Sequence, residues 1–439
     1  MGLFNNNSSV DEKETIQLIS EKAIKADGFD SLDKLMEKIG DARIVMLGEA
    51  SHGTHEYYTW RSNITKRLIK EKNFKFIGVE GDWPDCYKIN AYIKGENNSV
   101  TNAADLLTQF DRWPTWMWAN WEISALTEWL CNYNKQQDQK IGFYGLDVYS
   151  LWESLEAIRN YLQKEHPGAL ETATETFRCF EPYKGDETSY AYASRLVPAL
   201  CEDQVVELLQ EIQKRLPAFP TSDKRIYNAE QNALIAVNAE RYYRAMVRSS
   251  SESWNIRDSH MQETLERLLA FHGEDSKAII WAHNTHIGDA SATDMADEGM
   301  HNIGQLAREK FPGKTFLIGF GSYSGTVIAG KSWGAKMQNM MVPDARKGSL
   351  EYLLHKAGKD NKLLLMDDFR DTIFSERKLD HRAIGVVYKP EYERYGNYVP
   401  TVLPDRYDAF IYLDKTTALH PLHMDSSTKK IPETYPFGM

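Results

Sequence analysis

Histidine and glutamate are concentrated in a short glycine-rich stretch near the start of the chain. The sequence GEASHGT at residues 48–54 places Glu49 and His52 three positions apart between glycines. Glycine permits backbone conformations that turn neighbouring side chains into a cleft, so this spacing predicts a carboxylate–imidazole pair that can move a proton. A structural role also fits, because a serine or threonine of the stretch can cap the helix that follows.

Other short apolar runs of the chain also end in ionisable residues. The runs at residues 76–79, 143–146 and 279–282 are followed by Glu80, by Asp147, and by the pair His283 and His286. Ligands of open α/β sheets bind outside the carboxyl ends of the strands, so we expect these residues to meet the GEASHGT turn and form an active site. Asp82 and Asp147 are weaker candidates, because aspartate commonly ends strands and caps turns.

Two kinds of chemistry fit this set of residues. The His-x-x-His spacing of His283 and His286 suits a metal ion, with the glutamates and the remaining histidine as further ligands. The same residue types serve metal-free catalysis, in which one imidazole takes a proton from water while a second imidazole or an arginine stabilises the oxyanion. Spacing alone leaves both open. Arg61 is either such an arginine or an ordinary surface residue.

Motifs for covalent and nucleotide chemistry are missing from the sequence. The string nearest to a G-x-S-x-G nucleophile elbow, at residues 321–325, has tyrosine at its centre. The chain has no P-loop and no HExxH zinc motif, and the G-x-G at residues 319–321 lacks the third glycine of a dinucleotide site. A serine or cysteine nucleophile therefore has no support.

Short, continuous apolar runs predict the strands that position these residues. Continuous rather than alternating hydrophobicity is typical of parallel strands buried on both faces. Amphipathic helical stretches separate many of the runs, which indicates an α/β fold with a mostly parallel sheet flanked by helices. The predicted strands are residues 43–48, 75–79, 141–146, 278–282, 315–320, 362–366, 384–388 and 410–413.

The middle of the chain breaks this alternation. No convincing strand occurs between about residues 150 and 275, where polar helix formers dominate. We predict a large helical insertion that forms part of the cleft, with a break between its helices at residues 217–220. The predicted division is a first part of the α/β core at residues 1–150, the insertion at 151–276 and a second part of the core at 277–439. The tail from about residue 421 is expected to be irregular.

Charge and composition restrict the function further. The 439 residues include 52 Lys and Arg against 63 Asp and Glu, and the net charge of −11 disfavours nucleic acid and anionic membranes as partners. No apolar run reaches the ~18 residues of a membrane helix, and no secretory signal is visible. We expect a cytoplasmic monomer. Its four cysteines are expected to be packing thiols of a reducing compartment: Cys86, Cys131, Cys179 and Cys201.

A dense aromatic stretch lies at residues 113–121 and contains four tryptophans. Core packing explains most aromatic residues of this kind. A cluster so dense also suits the wall of a pocket for a bulky apolar ligand. The sequence leaves both interpretations open.

Taken together, the polar motifs resemble the erythromycin esterase family, whose members include enzymes that open macrolide lactone rings. The resemblance rests on GEASHGT with Arg61 downstream, on VEGD at residues 79–82 and on WAHNTH at residues 281–286. Supporting stretches are FYGLD at residues 143–147, Arg257 with Asp258, and FLIGF at residues 316–320. They follow the family's order between about residues 40 and 325.

This resemblance implies a hydrolase that uses neither a metal ion nor another cofactor. The family's active-site positions fall on Glu49, His52, Arg61, Glu80, His283 and His286. In the implied mechanism His52 is the general base that activates water, and Glu80 orients and polarises the assembly. His283 and Arg61 stabilise the carbonyl oxygen as it becomes an oxyanion, and the other two residues support them.

The implied substrate is a small-molecule carboxylic ester or macrolide lactone, with antibiotic detoxification as a biological role. Two alternatives use the same residues. One is a metal-dependent hydrolase, and the other is a binder of small molecules that does not turn them over.

Overall fold

The computed structural model of the chain describes residues 4–97, 99–183, 187–196, 200–215 and 223–423. The predicted helix break at residues 217–220 and the end of the tail, from residue 424, lie outside these ranges. In the part of the chain that is described, no helix combines the length and the apolar composition needed to cross a bilayer.

A nine-stranded sheet forms the centre of the molecule, and a two-stranded sheet lies apart from it. The strands are β1 (Ile24–Lys25), β2 (Ile44–Leu47), β3 (Phe76–Asp82), β4 (Gly142–Asp147), β5 (Ala278–Trp281), β6 (Thr315–Gly330), β7 (Met337–Val342), β8 (Lys362–Leu365), β9 (Leu379–Arg382), β10 (Tyr398–Thr401) and β11 (Ala409–Thr416). The order is β1-β8-β11-β6-β2-β5-β3-β4, with β7 paired to β6, and β9 pairs with β10. The strands from β11 to β4 run parallel, whereas β1, β7 and β8 pair antiparallel with their neighbours.

Helices cover both faces of the large sheet, as parallel sheets require. The helices are α1 (Phe4–Lys22), α2 (Leu32–Ile39), α3 (His55–Lys72), α4 (Trp83–Ile93), α5 (Ala103–Leu107), α6 (Trp121–Asn134), α7 (Leu151–Glu165), α8 (Leu170–Phe180), α9 (Glu187–Leu196), α10 (Glu202–Arg215), α11 (Lys224–Met246), α12 (Ser250–His272), α13 (Asn284–Ile287), α14 (Ile303–Lys310), α15 (Leu350–Lys356), α16 (Glu393–Gly396) and α17 (Leu403–Arg406). Two apolar cores lie on the two faces, one containing Val45, Ile77 and Ile279 and the other Ile44, Met46 and Ile280.

The structure confirms the mostly parallel α/β fold. One predicted strand, at residues 384–388, is wrong: Ile384 and Val387 form only isolated bridges, to Ser51 and Gly330. The short or edge strands β1, β7, β9 and β10 were not predicted, because they lack the continuous apolar run of a strand buried on both faces.

Helices α7 to α12 occupy the stretch predicted as an insertion, and no strand occurs among its described residues. Helices α7 to α11 share an apolar core of their own, which includes Trp152, Phe180, Leu208 and Ala236. α12 also packs against β4 and α14, so the stretch is anchored to the sheet. The predicted domain boundaries stay a prediction.

Two of the four cysteines differ from the expectation. Cys179, near the end of α8, and Cys201, just before α10, form a disulfide with a Cα–Cα distance of 5.9 Å. The thiol prediction is therefore wrong for this pair, because a separation of 22 residues gives no sign that two helix ends meet. Cys86 and Cys131 are buried free thiols, as expected.

A β-bulge shapes the carboxyl end of β3. Val79 lies opposite Gly145, but Asp82 lies opposite Asp147, so β3 carries one residue more than β4 over this interval. The bulge contains Glu80, and bulges beside functional sites commonly re-aim a side chain. Gly145 makes room for it, because a Cβ atom there would lie 2.3 Å from the carbonyl oxygen of Gly81.

We therefore predict that Gly145→Ala destabilises the protein by ~1–3 kcal/mol, the usual cost of overpacking. The measurement is urea unfolding of both proteins. Gly28→Ala is the matched control, because a Cβ at this exposed position meets no atom within 4 Å. Equal stability of the two variants would show that the bulge tolerates the added methyl group.

Candidate active site

The six residues selected from the sequence lie together at the carboxyl ends of the neighbouring strands β2, β5 and β3. They are all buried, and the exposed fractions are 2% for Glu49, 7% for His52, 0% for Arg61, 5% for Glu80, 4% for His283 and 2% for His286. Parallel strands bring their carboxyl ends to one edge, which explains why residues far apart in the sequence meet here.

His52 and Glu49 form a hydrogen-bonded pair in the turn after β2. Nδ1 of His52 lies 2.9 Å from Oε1 of Glu49. An ionised carboxylate can only accept, so Nδ1 of His52 is the donor and its Nε2 is left with a lone pair when the ring is neutral. Nε2 lies 3.9 Å from Oε1 of Glu80. This geometry suits a general base.

Arg61 lies behind this pair. Its guanidinium donates to Oε2 of Glu49 at 2.5 Å and lies over the rings of Tyr58 and Trp281, 4.4 and 4.5 Å from their centroids. Since Arg61 has no exposed surface, the structure places it as a positioning residue for Glu49.

Glu80 is held by Arg257, a residue of α12. One guanidinium nitrogen donates to Oε1 of Glu80 at 2.7 Å and to Oδ2 of Asp147 at 2.7 Å, and Nε donates to Oδ1 of Asp147 at 2.9 Å. The backbone N–H of His283 donates to the other Glu80 oxygen at 2.8 Å. Both buried carboxylates therefore have a charge partner, as burial demands.

His286 supports this arginine and does not face an open position. Its Nδ1 donates to Asp258, at 2.9 and 3.0 Å from the two carboxylate oxygens, and its Nε2 accepts from Arg257 at 2.9 Å. The ring also stacks on Trp254 with centroids 4.5 Å apart. With both nitrogens engaged, His286 is a positioning residue.

His283 has the opposite tautomer to His52. Nδ1 of His283 lies 2.8 Å from the hydroxyl oxygen of Thr285 and 3.3 Å from the backbone nitrogen of Thr285. The backbone N–H can only donate and the hydroxyl can donate as well as accept, so both contacts fit a ring with its proton on Nε2. That Nε2 is buried and makes no hydrogen bond of ordinary geometry. The rings of His52 and His283 lie 4.9 Å apart, which places a proton acceptor and a proton donor side by side.

The charges of the site separate the pKa values of the two histidines. Burial lowers the pKa of His52, and Arg257 lowers it slightly further. Glu80 and Glu49 raise it by more, so the pKa of His52 lies above its ordinary value. Burial and the neighbouring His52 lower the pKa of His283 well below its ordinary value. Glu80 and the carbonyl of Ala50 raise it, but by less. His283 therefore stays neutral.

Glu80 stays ionised in the same surroundings. Burial would raise its pKa, but interactions with His286, His52 and Arg257 hold the pKa of Glu80 far below its usual range. The carboxylate thus provides a fixed negative charge beside His52.

Asn284 ties the strand ends together. Its backbone N–H donates to the carbonyl of Glu49 at 2.9 Å, and its side-chain amide donates to the carbonyl of Phe320 at 2.6 Å. The side-chain oxygen accepts from the N–H of Phe320 at 3.2 Å. A fully buried amide therefore fixes β2, β5 and β6 relative to one another, and its position inside a turn carries no sequence signal of this role.

Asp82 is not part of this network. It forms an ion pair with Arg112 at 2.8 Å, which lowers its pKa. Burial and the nearby Asp147 and Glu153 have the larger effect and raise the pKa of Asp82 to about 7.

The aromatic stretch at residues 113–121 is divided between core and surface. Trp116 and Trp121 are buried core residues. Trp113 instead packs at a tilt against Trp333, which is 74% exposed, with ring centroids 4.7 Å apart. A Cβ atom on Gly81 would lie 2.7 Å from Nε1 of Trp118, so this ring packs directly behind the bulge that carries Glu80.

Arg257 also bears on the metal interpretation. Two of the candidate ligand atoms, Oε1 of Glu80 and Nε2 of His286, already accept hydrogen bonds from this guanidinium. A cation there would have to displace Arg257. The arrangement therefore favours acid–base chemistry by these residues.

Comparison with known proteins identifies the family of the chain. The model of the family described as erythromycin esterase matches residues 69–416, which is most of the chain. The chain belongs to the erythromycin esterase family. Membership of this family indicates a hydrolase. The matched range begins after Arg61, so the GEASHGT turn lies outside it.

Individual relatives of the erythromycin esterase family are distant. Erythromycin esterase type II of Escherichia coli is 22% identical over 375 residues, which cover 80% of this chain and 86% of the relative. The putative hydrolase YbfO of Bacillus subtilis (strain 168) is 23% identical over 399 residues, which cover 85% of this chain and 84% of the relative.

Solved structures share the fold. A succinoglycan biosynthesis protein matches with a TM-score of 0.76 at 20% identity, over 94% of this chain and 99% of that one. A mutant of the erythromycin esterase EreC in its open conformation matches with a TM-score of 0.67 at 18% identity, over 89% of this chain and 94% of that one. At these identities the likeness concerns the fold alone.

We predict that Arg257→Ala lowers the free energy of unfolding by about 3–5 kcal/mol, because it leaves two buried carboxylates without their cation. Thermal and urea unfolding measure the loss. Arg370→Ala is the control, since Arg370 pairs with Asp367 while 47% exposed, and exposed pairs are worth about 0–1 kcal/mol. Similar losses in both variants would contradict the role given to Arg257.

Proposed function

We propose that this chain hydrolyses a carboxylic ester or lactone of a small molecule by direct attack of water that His52 deprotonates. The observation that carries the proposal is the pairing of His52 and His283, whose rings lie 4.9 Å apart. The first offers a lone pair and the second a proton. Ester hydrolysis needs both, a base for the water and a donor for the carbonyl oxygen.

In the first step a water molecule between Nε2 of His52 and the substrate loses a proton to that nitrogen. Its oxygen attacks the carbonyl carbon, and the carbonyl oxygen becomes an oxyanion. Glu49 holds the reacting tautomer through Nδ1 at 2.9 Å, and Arg61 holds Glu49. Glu80, 3.9 Å from Nε2, stabilises the imidazolium that forms.

His283 then donates a hydrogen bond to the oxyanion. Its Nε2–H is buried and makes no ordinary hydrogen bond, and its lowered pKa keeps the ring neutral. When the tetrahedral intermediate collapses, the carbon–oxygen bond to the leaving group breaks and that oxygen takes the proton from His52. The products are a carboxylic acid and an alcohol, or a hydroxy acid from a lactone.

The substrate within this class is the finer part of the proposal. A macrolide lactone is supported by the name of the Escherichia coli relative, erythromycin esterase type II, at 22% identity. The low exposure of His52 and His283, 7% and 4%, means that a macrolide needs the cleft to widen. Small esters need less opening.

We expect His52→Ala to reduce kcat/KM by ~10²–10⁴-fold, the usual contribution of a general base. The assay is mass spectrometry for gain of one water on erythromycin and a panel of simple esters, with and without chelator. His166→Ala, at the end of α7, is the matched control.

Unchanged turnover in a folded His52→Ala variant would contradict the mechanism, and turnover lost on chelation would favour the metal-dependent alternative. Tight binding of a substrate without any product would favour the non-catalytic binder.

The pH profile tests which group titrates. His52 must be neutral to act as a base, and its pKa is raised, so kcat/KM should fall as the pH decreases through a value above ~6.5. Glu80 is the strongest raising influence, so Glu80→Gln should move this acid limb to lower pH as well as lower the plateau. An acid limb that stays in place would show that the titrating group is not His52.

A further inference from the structure

A second group of histidine and carboxylate side chains lies outside the catalytic network. Nδ1 of His55 lies 2.6 Å from Oε1 of Glu122, and Nδ1 of His420 lies 2.7 Å from the same oxygen. The two imidazole rings are 5.1 Å apart. In the part of the chain that is described, these three residues are the group whose ligand atoms converge closely enough to hold a metal ion.

The backbone fixes the three side chains in place. His55 is the first residue of α3, and its N–H donates to the carbonyl of Thr417 at 2.9 Å. Glu122 lies in the first turn of α6, where the N–H of Trp121 donates to the carbonyl of His420 at 3.0 Å. The segment after β11 is thereby pinned to the starts of both helices. The backbone therefore keeps the three side chains close to one another.

Glu122 is the reason to expect a cation here. Its side chain has no exposed surface, and its second oxygen, Oε2, is buried without a hydrogen-bond partner. A carboxylate so placed requires positive charge. A divalent ion bound by the carboxylate and both uncharged imidazoles supplies it.

Neighbouring groups of both signs surround this position. Glu56 accepts two hydrogen bonds from Thr417, each 2.8 Å long, and adds negative charge. Lys66 lines the same small cavity as Glu122 and brings positive charge, but burial and Lys70 lower the pKa of Lys66 to about 8. Lys66 therefore opposes a cation less than an exposed lysine would.

We propose that His55, Glu122 and His420 form a binding site for a divalent transition-metal ion of the zinc class. Two imidazole nitrogens and one carboxylate oxygen are ligands that zinc prefers, with a fourth position left for water. The ion would join α3, α6 and the segment after β11, and so stabilise the helix that follows the His52 turn. None of its three ligands belongs to the catalytic network, so the site is independent of the proposed hydrolysis.

Zinc binding to the full chain tests this proposal. The protein is stripped with EDTA, dialysed and titrated with ZnCl₂ at pH 7.5 in a calorimeter, and Co²⁺ absorption reports the coordination number. We expect one zinc ion per chain, and at least about tenfold weaker binding in both His420→Ala and Glu122→Gln. His420 is 41% exposed, so its variant should fold even if the Glu122 variant does not.

His355→Ala is the matched control, because His355 pairs with a single carboxylate, Asp414, at 2.7 Å and should not matter for zinc. Zinc affinity unchanged in His420→Ala would overturn the proposal. Zinc binding that is lost in His283→Ala but kept in His420→Ala would place the ion in the catalytic cluster instead. Absence of zinc binding would also overturn the proposal and leave hydrogen bonds as the interaction that joins the three side chains.

Discussion

The buried carboxylate of Glu80 needs a positive charge beside it, and Arg257 supplies that charge. The same guanidinium pairs with Asp147 at the end of β4 and donates to His286 after β5. One cation therefore joins three strand ends. Arg257 belongs to α12, so the helical stretch has to dock on the sheet before the site can exist. Asp258, the next residue, fixes His286 from the same helix.

Around this fixed charge, two histidines of similar burial acquire opposite roles. His52 has carboxylates on both sides, which raise its pKa, and the hydrogen bond to Glu49 leaves the lone pair on Nε2. His283 accepts from a backbone N–H in the turn after β5, which places its proton on Nε2, and burial keeps the ring neutral. The chemistry thus depends on which hydrogen bonds each ring makes, since the two side chains are identical. A serine nucleophile is not needed when water can be placed between such a pair.

The sequence predicted much of this arrangement, and the limits have physical causes. Continuous apolar runs identified the central strands, since burial on both faces leaves a strong signal, whereas edge strands such as β7 leave a weak one. Residues at strand ends were found because parallel strands share one carboxyl edge. Arg257 and Asn284 were given no catalytic part, because a residue inside a polar helix or turn carries no sign of the strand it will reach. The Cys179–Cys201 disulfide was missed for the same reason.

Nitrogen-15 NMR of the histidine side chains, assigned with His52→Gln and His283→Gln variants, tests the electrostatic claim most directly. It reports the tautomer and the protonation state of each ring as the pH is changed. His52 should be the Nδ1–H tautomer when neutral and should take up a proton at a pH above ~6.5. His283 should stay neutral, with its proton on Nε2, throughout the pH range in which the protein is folded. A titrating His283, or a neutral His52 with its proton on Nε2, would contradict the assignment of base and oxyanion donor.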